Sequence, residues 1–315
     1  MTPHVGLGHT AAKIILFGEH SVVYGYPAIA MPLHSLRMTA HAEPVDDASG
    51  QSTLTSLGWS GPMQEAPAHF ASVLRAVDVA MEFVGHPDAP IHITTASDFP
   101  QQRGLGSSAA AAGAVIRAIL NAYGVSATPE QLFELTQEAE RIAHGRPSGL
   151  DAVTTSADFP VHFEAGVTTK LDFDLAAWIV IADSGIEGST RETVGHVRSL
   201  YENSPETTQP RLARLGAITE EAIEELRTRD IEGLGARMTE AHGLLGELGV
   251  SIPKLDALVM AALDAGAVGG KLTGGGGGGC VIALAQSGED ARRKEDAKVA
   301  SGAQPAYTHA PHTRD

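Results

Sequence analysis

Short apolar runs alternate with turn residues through the first hundred positions of the chain. Runs rich in aliphatic and β-branched residues predict strands at positions 13–17, 28–33, 36–42 and 91–95. A stretch rich in Ser, Gly and Pro over 46–67 predicts a hairpin with a mobile loop. Helical spacing over 68–84 predicts a first helix, which Gly85-His86-Pro87 ends.

The remaining pattern is mainly helical. Positions 108–123 are Ala-rich and apolar almost all round, which is typical of a buried helix. Thr128-Pro129-Glu130-Gln131 is a capping-box start and predicts a helix to about Ala143. Further helices are predicted at 148–156, 190–203, 209–228, 231–246 and 253–265, and strands at 178–183, 268–272 and 280–285. Strands first and helices later predict an α+β protein with a boundary near 160–175, and hence domains at 1–165 and 166–315.

Composition narrows the class of protein. A chain of 315 residues exceeds the size that one core usually supports, which agrees with two domains. The formal charge of −16 argues against binding to nucleic acid or to an anionic membrane. Cys280 is the only cysteine, so no intramolecular disulfide can form. The absence of a long apolar run and the cysteine usage predict a cytoplasmic protein.

A glycine-rich loop at Gly104-Leu105-Gly106-Ser107-Ser108 precedes the Ala-rich helix. Glycines let the backbone approach a ligand with several N–H groups pointing inward, and the helix start adds positive potential. A serine hydroxyl there can reach a phosphate oxygen or Mg²⁺. The pattern therefore predicts a phosphate site, although a tight turn before a core helix would give the same residues. It is neither a Walker A loop nor a dinucleotide-binding GxGxxG.

A second glycine cluster, Lys271-Leu272-Thr273-Gly274 through Gly279-Cys280, contains six consecutive glycines. A flexible linker is the simplest interpretation of such a run. Here, however, the glycines lie between two short apolar strands, where close approach of another backbone or a ligand is the better explanation.

Three charged residues are further candidates. Lys13 begins a strand, Glu140 lies on a helix beside Arg141 and His144, and Asp151 follows Ser148-Gly149-Leu150 at the start of a short helix. Lys13 and the Glu140 face could be merely solvated, with Glu140 and His144 paired at i,i+4. Asp151 could be only an N-terminal charge that suits the helix dipole. Asp151 could instead lie in a cleft beside Lys13. The fourteen histidines show no paired zinc-ligand spacing, and no GxSxG elbow indicates a hydrolase. His309 and His312 lie in a polar tail, where solvated side chains are expected.

Taken in order, three segments resemble the motifs of the galactokinase, homoserine kinase, mevalonate kinase and phosphomevalonate kinase (GHMP) superfamily. They are 13–32, 100–110 and 271–280, and the resemblance spans nearly the whole chain. Gly18-Glu19-His20-Ser21 and its continuation to Ala30, and 144–151, most resemble the mevalonate kinase family. Asp183-Ser184-Gly185 with Ser189-Thr190-Arg191 resembles the substrate-side segment of that family.

The resemblance implies a two-domain GHMP kinase fold, with an N-terminal nucleotide-binding domain of the ribosomal S5 domain 2-like type and a ferredoxin-like C-terminal domain. It implies that Asp151 is the catalytic aspartate and Lys13 its partner lysine. Ser108 and Glu140 match Mg²⁺ ligands, with Gly104, Leu105, Gly106, Ser107 and Ser108 binding ATP. Glu19, His20, Thr273 and Arg191 match substrate-side positions, Arg191 less closely. A homodimer is a family-level expectation.

One departure from the family pattern concerns the first glycine loop. Members usually carry a glycine two residues after the motif's proline and then a small residue, where this chain has Gln102 and Arg103. The spacing from Pro100 to the glycines is intact, so the loop is still expected to form. Arg103 could add a phosphate contact or point to solvent.

The predicted activity is ATP-dependent phosphorylation of the C5 hydroxyl of (R)-mevalonate in isoprenoid biosynthesis. Asp151 would act as a general base or as an orienting group, and Lys13 would offset the charge on the transferred phosphoryl group. Alternative acceptors are phosphomevalonate, the 3-hydroxyl of mevalonate, or a sugar. A phosphorylated acceptor would call for more basic residues than Arg141, Arg146 and Arg191. A non-catalytic nucleotide-binding protein is the alternative from another class.

Overall fold

The computed structural model describes residues 4–45, 50–144, 147–173, 175–300 and 302–310. The chain divides into two compact units. The first unit consists of Met1–Lys13, Pro32–Gln101 and Gly106–Asp158, and the second of Ile14–Met31, Gln102–Leu105 and Phe159–Asp315. The domain boundary predicted near position 165 remains a prediction.

Some predicted features lie outside the described residues. They are part of the predicted loop within 46–67, the residues Gly145 and Arg146 of the segment before Asp151, the side chain of His144, and His312. The proposed pairing of Glu140 with His144 is therefore not addressed.

Within the described residues, the first unit combines strands with four α-helices. Its elements are β1 (Gly6–Phe17, shared with the second unit), β2 (Ala28–Pro44, also shared), β3 (Thr53–Ser56), β4 (Trp59–Pro62), α1 (Ala71–Phe83), β5 (Ile91–Ser97), α2 (Ser107–Ala122), α3 (Pro129–His144) and α4 (Leu150–Thr154). β5 pairs antiparallel with the 38–44 part of β2 and parallel with β3, which forms a hairpin with β4. The hairpin turn places Leu57 and Gly58 at positive φ, as two-residue hairpin loops require.

Alanine dominates α2 because this helix is buried directly against β1. A Cβ atom added at Gly6 would lie 2.0 Å from the carbonyl oxygen of Ala118, and one at Gly8 would lie 2.0 Å from that of Ala114. Strand and helix backbones therefore approach to a distance that only small residues permit. This packing fixes the position of α2 against β1, and the glycine loop leads into the N-terminus of this helix.

The part of the second unit that the structure describes contains an antiparallel sheet and five α-helices. Its further elements are β6 (Val161–Glu164), β7 (Val167–Lys170), β8 (Trp178–Asp183), α5 (Thr190–Asn203), α6 (Pro205–Thr228), α7 (Ile231–Glu247), α8 (Pro253–Asp264), β9 (Gly269–Leu272), β10 (Cys280–Ala285), α9 (Gly288–Ala300) and β11 (Gln304–His309). The sheet order is β11-β8-β10-β9, and every adjacent pair is antiparallel. β6 pairs with the 28–30 part of β2 and with β7.

The predicted fold class is confirmed, since strands dominate the early chain and helices the later chain. α5 and β8 have the predicted bounds, and α2, α3, α7 and α8 agree within one or two residues. No helix within the described ranges is both long enough and apolar enough to cross a bilayer.

Several element predictions were wrong. The strands predicted at 28–33 and 36–42 are one strand, β2, in which Pro32 lies between the parts that pair with β6 and with β5. α6 begins at Pro205 instead of 209, because Pro205 occupies the first helical turn and Pro210 lies inside the helix. β6, β7, α9 and β11 were not predicted, and His309 belongs to β11 instead of a polar tail. These segments are short or highly charged, so their apolar periodicity is weak.

Candidate active site

Lys13 and Asp151 form an ion pair in the first unit. Nζ of Lys13 lies 2.8 Å from Oδ1 of Asp151, and the two side chains are 2% and 43% exposed. Lys13 comes from β1, and Asp151 lies in the first turn of α4, which the left-handed Gly149 precedes. A buried ammonium thus holds a carboxylate that keeps an accessible oxygen face. Two residues 138 positions apart in sequence are brought together, as the sequence predicted.

The glycine loop leads into α2 through a residue that can only be glycine. Gly106 has φ +74°, and a Cβ atom there would lie 2.8 Å from Cγ of Lys13 and 3.1 Å from Cγ2 of Thr155. α2 starts at Ser107, so the positive end of its dipole is next to the Lys13 side chain. Positive backbone potential and an ammonium group therefore meet at the end of the loop, which is the arrangement that binds phosphate.

Glu140 is buried and accepts hydrogen bonds from two serines of the first unit. Oε1 of Glu140 accepts from Oγ of Ser108 at 2.6 Å and from Oγ of Ser72 at 2.8 Å. Glu140 is 3% exposed, so the solvated helical face considered from the sequence is excluded for it. Ser72, in α1, was not predicted. Nothing in its local sequence marks it, because only helix packing brings α1 to α3.

In the second unit, the other end of the loop packs against the second glycine cluster. A Cβ atom at Gly104 would lie 2.5 Å from the carbonyl oxygen of Thr273. The backbone N–H of Cys280 donates to the carbonyl oxygen of Arg103 at 3.0 Å, and that of Gly188 donates to Gln102 at 3.0 Å. The glycines thus allow close backbone approach, as predicted, and the linker interpretation is excluded.

Arg103 neither points to solvent nor stands unpaired. Its Nε lies 3.0 Å from Oδ2 of Asp183, whose Oδ1 accepts from the N–H of Gly185 at 2.8 Å. Arg103 therefore ties the loop to the end of β8. The preceding residue, Gln102, has φ +56°, the conformation for which the family's usual glycine is suited.

Glu19 and Thr273 are buried in the second unit and contact protein groups. Glu19 is ion-paired with Lys271, and the two side chains are 1% and 0% exposed. Oγ1 of Thr273 accepts from the N–H of Ile15 at 2.9 Å and donates to the Ile15 carbonyl at 3.1 Å. Lys271 belonged to a motif noted in the sequence, but no role was predicted for it, because a lysine in a strand is usually solvated.

His20 is buried in an unusual backbone conformation. Its φ is +61°, and Nε2 lies 2.8 Å from the carbonyl oxygen of Gly275. A carbonyl can only accept, so Nε2 carries a hydrogen, and Nδ1 is the unprotonated nitrogen when the ring is neutral. Burial lowers the pKa of His20 to about 4; the bond to Gly275 acts in the opposite direction, and His196 lowers the pKa further.

Arg191 lies exposed in the first turn of α5. That turn packs against the glycine cluster, since a Cβ atom at Gly275 would lie 3.0 Å from Cα of Thr190 and 3.0 Å from Oγ1 of Thr193. The predicted substrate-side residues His20, Thr273 and Arg191 thus come from segments that share the glycine cluster as a neighbour.

A group of metal-ligand side chains not predicted from the sequence is formed by His162, Glu164 and Glu220. Their ligand atoms lie within 4.8 Å of one another. Both carboxylates are exposed, and His162 is partly exposed and faces Thr169 through Nδ1 at 3.4 Å. Exposed acidic groups of this kind are common without a metal, so no role is assigned to this group.

Models of known protein families and the sequences of known proteins match this chain. The model of the GHMP kinases N terminal domain matches residues 71–157, and that of the GHMP kinases C terminal matches 222–299. The mevalonate kinase of Thermococcus gammatolerans is 37% identical over 299 residues, covering 89% of each protein. That of Pyrococcus horikoshii is 36% identical over 317 residues, covering 94% of this chain and 93% of the relative.

Solved structures agree with this match. The crystal structure of the Methanococcus jannaschii mevalonate kinase has a TM-score of 0.82 to this chain at 25% sequence identity, and 96% of each chain is covered. Family models, relatives of similar length and fold therefore point to one conclusion: the chain belongs to the GHMP kinase family.

Proposed function

We propose that this chain is a mevalonate kinase, which transfers the γ-phosphoryl group of ATP to the C5 hydroxyl of (R)-mevalonate. The observation that carries the proposed chemistry is the ion pair between the buried Lys13 and the half-exposed Asp151. The acceptor is taken from the relatives that match nine-tenths of the chain, which are named mevalonate kinases.

Phosphoryl transfer needs positioning and charge stabilisation more than covalent chemistry. Asp151 receives or orients the proton of the acceptor hydroxyl, so that the oxygen attacks the γ-phosphorus as the bond to the ADP oxygen breaks. Lys13 offsets the negative charge on the transferred group. The loop 104–108 and the N-terminus of α2 hold the β- and γ-phosphates.

The residues present fit a magnesium ion. Mg²⁺ prefers oxygen ligands and is often bound by one carboxylate together with substrate phosphates. Ser108 and Glu140 supply a hydroxyl and a carboxylate whose oxygens lie 2.6 Å apart, next to the phosphate loop. We propose that these two residues hold Mg²⁺, which offsets charge on the phosphate oxygens.

On the acceptor side we assign His20 and Arg191 to contacts with mevalonate, and we place Thr273, whose buried hydroxyl is bonded to Ile15, near the substrate without a side-chain contact. Arg191 is exposed and can donate to a carboxylate in a forked geometry. We further propose a cytoplasmic location, which rests on the single cysteine and the lack of a long apolar run. We also propose a homodimer, which rests on the family resemblance and is tested by sedimentation analysis.

Substrate choice is tested by ADP release with ATP and Mg²⁺ across mevalonate, phosphomevalonate, homoserine and galactose. Turnover is expected with mevalonate, and phosphorus NMR should place the new phosphate on C5. Turnover confined to another acceptor, or phosphate on the 3-hydroxyl, would overturn the proposal. ATP binding without turnover of any acceptor would favour a non-catalytic nucleotide-binding protein.

The role of Asp151 is tested by Asp151→Asn. Loss of a general base should lower kcat by roughly 10²–10⁴-fold while the KM for ATP changes little. The matched control is Asp88→Asn, which alters an exposed aspartate in the turn before β5. Near-normal turnover of Asp151→Asn would remove this residue from the proposed mechanism.

A further inference from the structure

A fully buried ion pair lies at the junction of two motifs in the second unit. Lys271, in β9, is paired with Glu19, which follows β1, and neither side chain is more than 1% exposed. Nζ of Lys271 also donates to the carbonyl oxygen of Leu272 at 2.8 Å and lies 3.5 Å from that of Ile15. The ammonium therefore links the end of β1 to the end of β9.

Such a pair is a poor source of stability. Removing two charges from water costs about as much as their attraction returns, and well-packed apolar replacements are often as stable. A buried pair with directed hydrogen bonds does, however, fix the relative positions of the two segments that it joins.

His20, the residue after Glu19, has an unusual backbone conformation. His20 has φ +61°, a left-handed conformation that a residue with a Cβ atom adopts only at a cost in free energy. Strained residues of this kind persist where surrounding contacts hold them, and they concentrate at functional sites. His20 directly follows Glu19 of the buried ion pair, and its ring is bonded to the carbonyl oxygen of Gly275 at 2.8 Å.

We propose that Lys271 and Glu19 are positioning residues that hold His20 in this conformation, with Nδ1 of its ring kept as a hydrogen-bond acceptor for a hydroxyl group of the acceptor substrate. Glu19 then acts through His20 and does not itself touch substrate. That Nδ1 of His20 accepts a hydrogen bond from a substrate hydroxyl rests on the proposed function. That the Lys271–Glu19 pair positions His20 does not.

The test uses Glu19→Gln, Lys271→Met and the double variant. Each single change leaves one charged or polar group buried without its partner, so both should lower Tm strongly. The double variant removes both charges and should recover part of the lost Tm, because burying an unpartnered amide costs less than burying an unpartnered charge. If the pair only stabilises the fold, activity recovers with Tm. If it positions His20, the KM for mevalonate in the double variant stays roughly 10- to 100-fold raised, because displacing a positioned group by about 1 Å costs up to about 100-fold.

A matched control exists in the same unit. Lys294 is fully buried and paired with Asp290 within α9, at the opposite end of the sequence from His20. Asp290→Asn with Lys294→Met should alter Tm but leave the KM for both substrates within about twofold of the wild type.

Nitrogen-15 NMR of the His20 ring gives a readout that needs no substrate. The wild type should show a hydrogen on Nε2 and an unprotonated Nδ1. The double variant should show exchange between the two tautomers of the His20 ring and a His20 pKa moved towards 6.5. A folded double variant with wild-type ring signals and a wild-type KM for mevalonate would overturn the inference. Failure of the wild type to phosphorylate mevalonate would overturn the proposed function alone, since the ring signals would still test the pair.

Discussion

At the scale of single residues, the candidate site consists of charged side chains with assigned partners. Lys13 faces Asp151 in the first unit, and Arg103 faces Asp183 in the second. The departure from the family pattern at 102–103 thus has two separate consequences. Arg103 adds an ion pair, and Gln102 places a Cβ atom where the backbone is left-handed.

Replacing Gln102 should relieve that strain. We expect Gln102→Gly to be more stable than Gln102→Ala by about 1 kcal/mol, because only glycine adopts a left-handed φ without a steric penalty. The alanine variant is the control, since it removes the same side-chain atoms and keeps the Cβ atom. Urea unfolding of the two variants measures the difference, and equal midpoints would show that this turn is not strained.

At the scale of secondary-structure elements, helix ends determine where the site residues lie. α3 carries Glu140 and begins with a reciprocal capping box. The N–H of Gln131 donates to Oγ1 of Thr128 at 3.2 Å, and the N–H of Thr128 donates to Oε1 of Gln131 at 2.9 Å. The sequence predicted this cap from Thr128-Pro129-Glu130-Gln131, because both hydrogen bonds are local.

Removing the cap should weaken the first unit. Thr128→Ala is expected to lower the free energy of unfolding by about 1 kcal/mol. Thr128→Ser should lower it much less, because serine also accepts the capping hydrogen bond. Ser126→Ala, an exposed change two residues earlier, is the control and should stay within about 0.5 kcal/mol of the wild type. Thermal or urea unfolding measures all three. A Thr128→Ala variant as stable as the control would contradict a stabilising role for the cap.

At the scale of the whole molecule, buried histidine makes stability depend on pH. Burial lowers the pKa of His20 to about 4 and also lowers that of His242. The unfolded chain therefore binds protons near pH 6.5 that the folded chain excludes. The stabilisation is present above pH 6.5 and is lost as the pH falls towards 4.

Between pH 7.5 and 5, His20 alone should lower the free energy of unfolding by roughly 2 kcal/mol. We expect His20→Gln to show a correspondingly shallower loss of stability over this range. His242 is present in both proteins, so its contribution cancels when the slopes are compared. Urea unfolding followed by tryptophan fluorescence at several pH values measures the slopes, and identical slopes would mean that His20 titrates normally.

The sequence by itself determined the features that depend on residues close together in the chain. Apolar periodicity gave most helices, the cap of α3 follows from four adjacent residues, and the order of three motifs identified the family and predicted a phosphate loop. Weakly periodic segments such as β6, β7 and α9 escaped prediction, because their strands and helices are stabilised by neighbours distant in the chain.

Only the tertiary structure decided the partners of the charged groups. Ser72 beside Glu140, Asp183 beside Arg103 and Lys271 beside Glu19 are separated by tens to hundreds of positions, and no local pattern specifies them. The positive φ of His20 was equally invisible in sequence, since a positive φ is uncommon in residues other than glycine. The sequence shows that a residue is charged, but not whether it is buried or which group it faces. Both are decided when distant segments pack, and both determine whether the residue can position another group or take part in catalysis.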